Sequence, residues 1–200
     1  MINEILGKAS SGFLAGVDEA GRGAIAGPVV AAAVILSVDD KAKFHDSKQL
    51  SEKKRIDLYK NLRASRANIG IGLATPCEIE NLNIHYATLL AMKRALEKLK
   101  MVPERVLVDG KFCPDFDGQI NPVIKGDQFI RAISAASIVA KVFRDHLMLR
   151  LDRRFPNYKF AVHKGYPTKK HLLAIREFGV LPFHRKSYKP IRLILGTGTE

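Results

Sequence analysis

The stretch FLAGVDEAGRGAIAG, residues 13–27, decides the fold that this sequence predicts. It begins as a short apolar run and then reaches two adjacent carboxylates, Asp18 and Glu19, before a glycine-rich segment at 21–23. A buried strand that ends in acids and leads into such a turn places charge at the end of a sheet, where open α/β sheets bind their ligands. Because adjacent carboxylates repel each other, a divalent cation that prefers oxygen ligands, Mg²⁺ or Mn²⁺, is the expected partner.

Two other interpretations of this stretch stay open at this point. An Asp-Glu pair after a strand is also typical of the solvated start of a turn. The glycines are close to the dinucleotide-binding pattern G-x-G-x-x-G but have one residue too many, and the apolar segment 28–36 favours a second strand where that fold needs a helix. Since neighbouring strand residues point to opposite faces, both acids share one site only if the strand bends near Ala20 and Gly21.

The composition favours one folded domain that binds a polyanion. The chain has 200 residues, 46% of them hydrophobic. No apolar run approaches the roughly 20 residues of a membrane span. The first residues lack the order of a signal peptide, and Cys77 and Cys113 fit free thiols, so we expect a cytoplasmic protein without zinc. The net charge of +13 favours nucleic acid as the partner.

The apolar periodicities predict an α/β protein. The predicted strands are 13–17, 28–36, 67–74, 105–108 and 120–125, the first two of them antiparallel. The predicted helices are 51–62, a short one that opens with a capping box at 75–78, then 83–99, 128–153 and 169–177. The fourth, small and apolar all round at 132–140, is expected to lie in the core against the sheet. The tail from Leu181 has no clear period.

Four acids stand at the ends of predicted strands: Asp18, Glu19, Asp109 and Asp127. If these strands are neighbours, the carboxylates converge and can hold two divalent ions about 4 Å apart, the arrangement used for in-line phosphodiester cleavage. The simpler alternatives are a turn residue at Asp109 and a helix cap at Asp127.

Basic and aromatic residues crowd the last quarter of the chain. Such a face fits a nucleic-acid backbone and stacking on bases or sugars, whereas a solvated basic helix over core aromatics is the open alternative. Histidines offer a rival chemistry, because two of them can cleave RNA by general acid–base catalysis. His163 and His184 lie in basic segments and could contact phosphate, while His85 and His146 fall in predicted helices as ordinary surface or boundary residues.

Taken together, the motifs resemble ribonuclease HII, the bacterial type 2 ribonuclease H. The matching blocks are GVDEAGRG at 16–23, GPVVAAA at 27–33, DSKQLS at 46–51, NI, AT, M and RA between 83 and 95, VDG at 108–110, KGD at 125–127, AASIVAKV at 135–142 with RD at 144–145, HKGY at 163–166 and HRKS at 184–187. The departures are Tyr188, where phenylalanine is expected, and a short C-terminal tail.

The resemblance implies a ribonuclease H-like fold: a five-stranded mixed sheet flanked by helices, in a single domain over 1–200 whose helical part from about 155 to 200 covers the substrate. It implies an endonuclease that hydrolyses the RNA strand of RNA–DNA hybrids and cuts 5′ of single ribonucleotides embedded in DNA. Mn²⁺ or Mg²⁺ would serve as cofactor, and the ends would be 3′-hydroxyl and 5′-phosphate. We expect a cytoplasmic monomer active in ribonucleotide excision repair; contact with a replication clamp stays open.

The resemblance also assigns site residues. It makes Asp18, Glu19, Asp109 and Asp127 the catalytic, metal-binding acids. Residues Gly21, Arg22 and Gly23 match a loop that senses the ribonucleotide 2′-hydroxyl, and Tyr166 matches a tyrosine that stacks on the following deoxyribose. The remaining expected duplex contacts are basic: Lys48, His163, Lys164, His184, Arg185 and Lys186. For Tyr166, a place in the core is the open alternative.

Overall fold

The computed structural model describes residues 13–37, 44 and 50–197. Its strands are β1 (Leu14–Ala20), β2 (Val29–Ile35), β3 (Asn68–Ala74), β4 (Arg105–Asp109) and β5 (Gln119–Val123). Its helices are α1 (Glu52–Ala64), α2 (Pro76–Glu97), α3 (Arg131–Arg154), α4 (Phe160–His163), α5 (Lys169–Phe178) and α6 (Lys189–Ile194). Two 3₁₀ turns, Gly126–Gln128 and Pro156–Tyr158, stand before and after α3. Across these residues, no helix has both the length and the apolar character needed to cross a membrane.

The sheet is mixed, with strand order β3-β2-β1-β4-β5. Strands β1 and β2 pair antiparallel, as predicted, and so do β2 and β3. The pairs β1–β4 and β4–β5 are parallel. The apolar part of β1 is buried because it lies in the middle of the sheet. Since β1 and β4 are parallel neighbours, their carboxyl ends meet at one edge, which is where open sheets bind ligands.

Helices cover both faces of the sheet. Alternate residues of β2 explain this: Ala31 and Ala33 pack in one core cluster with α2, and Ala32 and Val34 pack in another with α3 and α1. Helix α3 lies very close to β1, because a Cβ added to Gly16 would stand 2.2 Å from a backbone carbon of the helix. The prediction that the small, apolar segment 132–140 lies in the core is confirmed.

Several local predictions are confirmed by the hydrogen bonds. Ser51 caps α1, and Thr75 opens α2 with the expected reciprocal capping box. Helix α2 is divided at Asn83, whose φ of 65° and ψ of 168° are not helical, so the predicted short and long helices meet there. Thr168 caps α5, and Gly179 ends it.

Other boundaries differ from the prediction. Strand β1 does not end at Val17 but continues to Ala20, because the acids keep their pairing with β2: Asp18 lies opposite Ala32 and Glu19 opposite Ala31. Helix α3 starts three residues later than predicted, since a 3₁₀ turn occupies Gly126–Gln128. The tail from Leu181, for which no periodicity predicts a structure, contains α6. This helix is too short for an apolar periodicity to be visible in the sequence.

Candidate active site

Three of the predicted acids meet at the common edge of β1, β4 and β5. Asp18 is in β1, Asp109 is the last residue of β4, and Asp127 is in the 3₁₀ turn that follows β5. Each offers a carboxylate oxygen, and these oxygens lie within 4.8 Å of one another. The parallel register explains the first pair, because Val17 lies opposite Val108 and the acids directly follow. The structure thus brings together acids that are up to 109 positions apart in the chain.

Glu19 approaches the same edge from the other face of β1. The strand stays regular there, so no bend aligns its side chain with that of Asp18. Glu19 instead lines a small cleft together with Asp109, and an oxygen of its carboxylate lies 3.5 Å from a guanidinium nitrogen of Arg22. Three acids therefore form the cluster, and the fourth stands beside it.

The acid cluster is electrostatically strained. Burial raises the pKa of Asp18 well above its ordinary value, and the negative charges of Glu19 and Asp109 raise it further. A hydrogen bond with Ser137 and one from the backbone N–H of Glu19, at 2.7 Å, act in the opposite direction. A cation stabilises a buried carboxylate whose pKa is raised by neighbouring negative charges, and hard carboxylate oxygens are the ligands that Mg²⁺ and Mn²⁺ prefer. The donor set therefore fits a divalent metal.

The glycine loop, residues 21–28, follows β1 directly. Gly21 has a φ of 95°, and a Cβ there would lie 1.9 Å from Nε of Arg144, so the protein itself fills the space beside it. Gly23 is different: no heavy atom of the described residues lies within 4 Å of an added Cβ. One glycine is thus required by internal packing, and the other leaves the backbone open to an approaching molecule.

The loop is held from beneath by the C-terminal part of the chain. Arg185 is fully buried and donates from Nε to the carbonyl of Gly27 at 3.0 Å and from Nη1 to that of Arg22 at 2.9 Å. The hydroxyl of Tyr188 donates to the same Arg22 carbonyl at 2.7 Å. This hydroxyl is what distinguishes Tyr188 from the phenylalanine expected there, and it adds a hydrogen bond to the loop.

Tyr166 stands half-buried between α4 and α5. The guanidinium carbon of Arg144 lies 5.4 Å from the centre of its ring, and Nζ of Lys141 lies 5.7 Å away. Its backbone N–H donates to the carbonyl of His163 at 2.9 Å. Two cations on one ring and a bonded backbone hold the tyrosine in place.

The ribonuclease HII family model matches residues 15–191 of the chain. The chain belongs to the ribonuclease HII family. It is 53% identical to ribonuclease HII of Shewanella loihica over 186 residues, which cover 91% of this chain and 89% of the relative. It is 51% identical to ribonuclease HII of Coxiella burnetii over 181 residues, 90% of each chain. The resemblance seen in the motifs is confirmed, and the enzyme is a nuclease of the ribonuclease H type.

Solved structures of related enzymes share the fold. Ribonuclease H2 from Pyrococcus horikoshii OT3 superposes with a TM-score of 0.79 at 25% identity and covers 91% of this chain and 96% of its own. RNase HII from Archaeoglobus fulgidus, solved as a complex with PCNA, gives 0.74 at 25% identity, with coverage of 88% and 95%. The predicted ribonuclease H-like fold with a five-stranded mixed sheet is confirmed.

The basic segments of this enzyme divide into buried and exposed residues. His163, His184 and Arg185 are at most 6% exposed. This burial corrects the expectation that they contact phosphate, because their polar atoms face the protein. The side chain of Lys164 is 13% exposed and donates to the carbonyl of Ala161 at 2.6 Å. Lys186 is exposed, as a duplex contact requires, and Lys48 lies outside the described residues.

A third histidine completes a buried cluster whose tautomers follow from its hydrogen bonds. Nδ1 of His184 accepts from the N–H of Leu181 at 2.8 Å, so its proton is on Nε2. That nitrogen lies 3.1 Å from Nε2 of His171, which must accept. His171 then carries its proton on Nδ1 and donates to the carbonyl of Tyr166 at 2.9 Å. Burial lowers the pKa of His171 to about 3 and that of His184 to about 4, so both are neutral.

His85, predicted as an ordinary surface or boundary residue, lies half-buried near the acids. His85 lines the cleft that contains Glu19 and Asp109, and its ring meets that of Phe112 edge-on at 4.7 Å between centroids. It is placed there by Asn83, whose side-chain oxygen accepts from the N–H of His85 at 2.9 Å and starts the second part of α2. The asparagine after a short helix was the available signal.

Proposed function

We propose that the enzyme cuts DNA on the 5′ side of embedded ribonucleotides and hydrolyses the RNA strand of RNA–DNA hybrids by two-metal catalysis, leaving 3′-hydroxyl and 5′-phosphate ends. The observation that carries this proposal is the convergence of Asp18, Asp109 and Asp127 within 4.8 Å in a chain of the ribonuclease HII family. Such a cluster suits phosphodiester hydrolysis, in which charge develops on both the entering and the leaving oxygen.

The four acids would approach the metal from different sides. Asp18 and Asp127 would hold the metal from the buried side, and Asp109 and Glu19, which both line the cleft, would reach it from there. A metal bound by these acids, Mg²⁺ or Mn²⁺, would supply positive charge for activating a water and for stabilising the leaving 3′-oxygen. Arg22, whose side chain is 51% exposed, restrains Glu19 through their ion pair and leaves its remaining donors to solvent or substrate.

Recognition of the ribonucleotide is assigned to the glycine loop and Tyr166. The open backbone at Gly23 lets a ribose 2′-hydroxyl approach to hydrogen-bonding distance. Tyr166 would stack on the next sugar, which must be a deoxyribose because a 2′-hydroxyl would lose its water against the ring. The two elements together select a step from ribonucleotide to deoxyribonucleotide in one direction only.

The part of the chain from about 155 to 200 is proposed to cover the duplex as part of a single domain with the sheet. Lys186, Lys164 and Lys48 remain the proposed phosphate contacts, whereas His163, His184 and Arg185 support the loops from inside. A cytoplasmic location, a monomeric state and a role in ribonucleotide excision repair remain predictions. The Archaeoglobus relative was solved with PCNA, and contact with a clamp is a prediction for this chain.

One assay tests the proposed reaction. A duplex with a single ribonucleotide is incubated with Mg²⁺, Mn²⁺ or EDTA, and the product ends are identified. We expect cleavage only with metal, on the 5′ side of the ribonucleotide, with a 3′-hydroxyl and a 5′-phosphate. A cyclic phosphate formed in EDTA would instead indicate histidine catalysis, and binding without cleavage would indicate a binding protein.

A further inference from the structure

The glycine loop and the segment around Tyr166 together would recognise the step from ribonucleotide to deoxyribonucleotide. One buried side chain, Arg144 of α3, joins these two segments inside the protein. It is 0% exposed. Toward the glycine loop, Nε donates to the carbonyl of Pro28 at 3.0 Å and Nη2 to that of Ala26 at 3.1 Å. Toward the tyrosine, Nη1 donates to the carbonyl of Lys164 at 2.9 Å. Three nitrogens of one planar group therefore connect both segments.

Arg144 also contacts the elements that face the substrate. Its Nε lies 1.9 Å from where a Cβ of Gly21 would stand, so the first glycine of the loop rests on the guanidinium. Its guanidinium carbon is 5.4 Å from the centre of the Tyr166 ring. Beside it, the backbone N–H of Ile25 donates to the carbonyl of Gly165 at 2.9 Å, so loop and tyrosine segment are also bonded directly.

An arginine in the interior is costly, and packing alone does not require one. An apolar side chain of similar length would fill the volume without the desolvation of a charge. Burial, with Arg185 nearby, lowers the pKa of Arg144 to about 10, which leaves it charged at neutral pH. An apolar residue, however, could not donate hydrogen bonds to the three inward-facing carbonyls. The planar guanidinium can, because it presents its N–H donors in fixed directions.

We propose that Arg144 is the positioning residue that sets the spacing between the glycine loop and Tyr166, and thereby the sugar step at which the enzyme cuts. This inference rests on the proposed function, in which Gly23 and Tyr166 face successive sugars. A displacement of about 1 Å between positioned groups can cost as much as about a hundred-fold in rate. A lysine would keep the charge but offers its donors from a single nitrogen on a flexible stem, so it cannot reproduce the three bonds.

The test compares Arg144→Lys with Arg150→Lys, a matched control on the exposed side of α3. For each, kcat and KM are measured on a duplex with one ribonucleotide and on a long RNA–DNA hybrid, beside a thermal melt. We expect Arg144→Lys to lower the ratio of kcat/KM values, single ribonucleotide over hybrid, by about ten-fold, the scale of one lost charge-assisted hydrogen bond. Arg150→Lys should leave the ratio unchanged.

A double variant separates this role from the proposed function. Tyr166→Ala alone should lower the same ratio, and adding Arg144→Lys should lower it little further if the arginine acts through the tyrosine. If Arg144→Lys melts below the assay temperature, Arg144→Gln, which removes the buried charge and keeps an amide donor, replaces it. Equal losses on both substrates would overturn the positioning role and leave Arg144 as packing. If Tyr166→Ala leaves this ratio of kcat/KM values unchanged, the proposal that Tyr166 helps to recognise the step from ribonucleotide to deoxyribonucleotide is wrong.

Discussion

Among the described residues, a cluster of acids at the sheet edge and a cluster of buried histidines in the C-terminal part are built in opposite ways. At the sheet edge, carboxylate oxygens of Asp18, Asp109 and Asp127 lie within 4.8 Å of one another, and burial together with the charges of Glu19 and Asp109 raises the pKa of Asp18. In the C-terminal part, His171 and His184 are equally buried, yet each ring nitrogen faces a complementary donor or acceptor. The first arrangement offers ligands for an added cation, and the second has its hydrogen bonds completed within the protein.

The hydrogen-bond partners of the buried groups distinguish the two clusters, which residue type alone would not do. Histidine is a common catalytic residue, and the sequence places three of them among basic residues. Their hydrogen bonds are nevertheless satisfied within the protein, which is typical of a structural role. The acids differ, since carboxylates brought together at a sheet edge with a raised pKa at Asp18 are the arrangement expected of a functional site.

The largest expected effect comes from breaking the acid cluster. Asp109→Asn removes a negative charge and a strong metal ligand, so kcat on the single-ribonucleotide duplex should fall by at least about 100- to 1000-fold. The matched control is Asp117→Asn, an exposed acid before β5, which should keep activity. Substantial activity of Asp109→Asn in saturating Mn²⁺ would show that Asp109 is not a central ligand.

Two glycines of the glycine loop also differ, because Gly21 is packed against Arg144 and Gly23 is open. Gly23→Ala should keep the melting temperature and lower kcat/KM at a ribonucleotide, because the new methyl meets only the incoming substrate. Gly21→Ala should lower the melting temperature, since its φ of 95° and the contact with Arg144 both oppose a side chain. Thermal melts and cleavage rates of the two variants test this difference. If both variants lower the melting temperature equally, Gly23 is not more open than Gly21.

The two clusters should also respond to pH with opposite signs. His171 and His184 have folded pKa values of about 3 and 4, below the ordinary 6.5, so their contribution is intact above pH 6.5 and is lost as pH falls toward 4. The unfolded chain then takes up the protons, at a cost of about 1–2 kcal/mol per histidine near pH 5. Asp18, with a raised pKa, is destabilising once it ionises, and this penalty is relieved as pH falls.

The histidine part of this prediction is checked by denaturant unfolding between pH 7 and 5. His184→Gln should make the fall in stability shallower than in the native chain, because one titrating group is gone. His146→Gln, at an exposed position of α3, is the control and should leave the slope unchanged. An identical slope for all three proteins would mean that the buried histidines are not held neutral.

The smallest expected effects are those of substitutions at the neighbours Arg185 and Lys186, which should differ in kind. Lys186 is exposed, so Lys186→Ala should reduce the salt dependence of duplex binding by about one unit of slope if it neutralises one phosphate. Arg185 is buried under the loop, and Arg185→Lys should mainly lower the melting temperature. Binding measured at several salt concentrations tests both, and a slope that changes only for the Arg185 variant would reverse the assignment.

Much of the site could be predicted because it stands at strand ends. Apolar runs that stop at Asp18 and Asp109 are visible in the sequence, and parallel pairing then brings the acids together. Asp127 gives a more ambiguous signal, since it lies between a short predicted strand and a helix, where a helix cap shows the same pattern, and the family motif was needed to select it. Whether a basic residue points inward depends on distant backbone: Arg185 is buried because the carbonyls of Arg22 and Gly27 need its donors.

Thermal melting of the native chain and of Asp109→Asn, with EDTA and with Mn²⁺, tests most directly whether the acid cluster is a metal site. Without metal, Asp109→Asn should melt at the same temperature as the native chain or higher, because one repulsive charge is removed. Mn²⁺ should raise the melting temperature of the native chain, since a ligand that binds only the folded state stabilises it, and should raise that of the variant far less. Equal responses of the two proteins to Mn²⁺, or a variant that melts clearly lower in EDTA, would contradict a metal site strained by its own carboxylates.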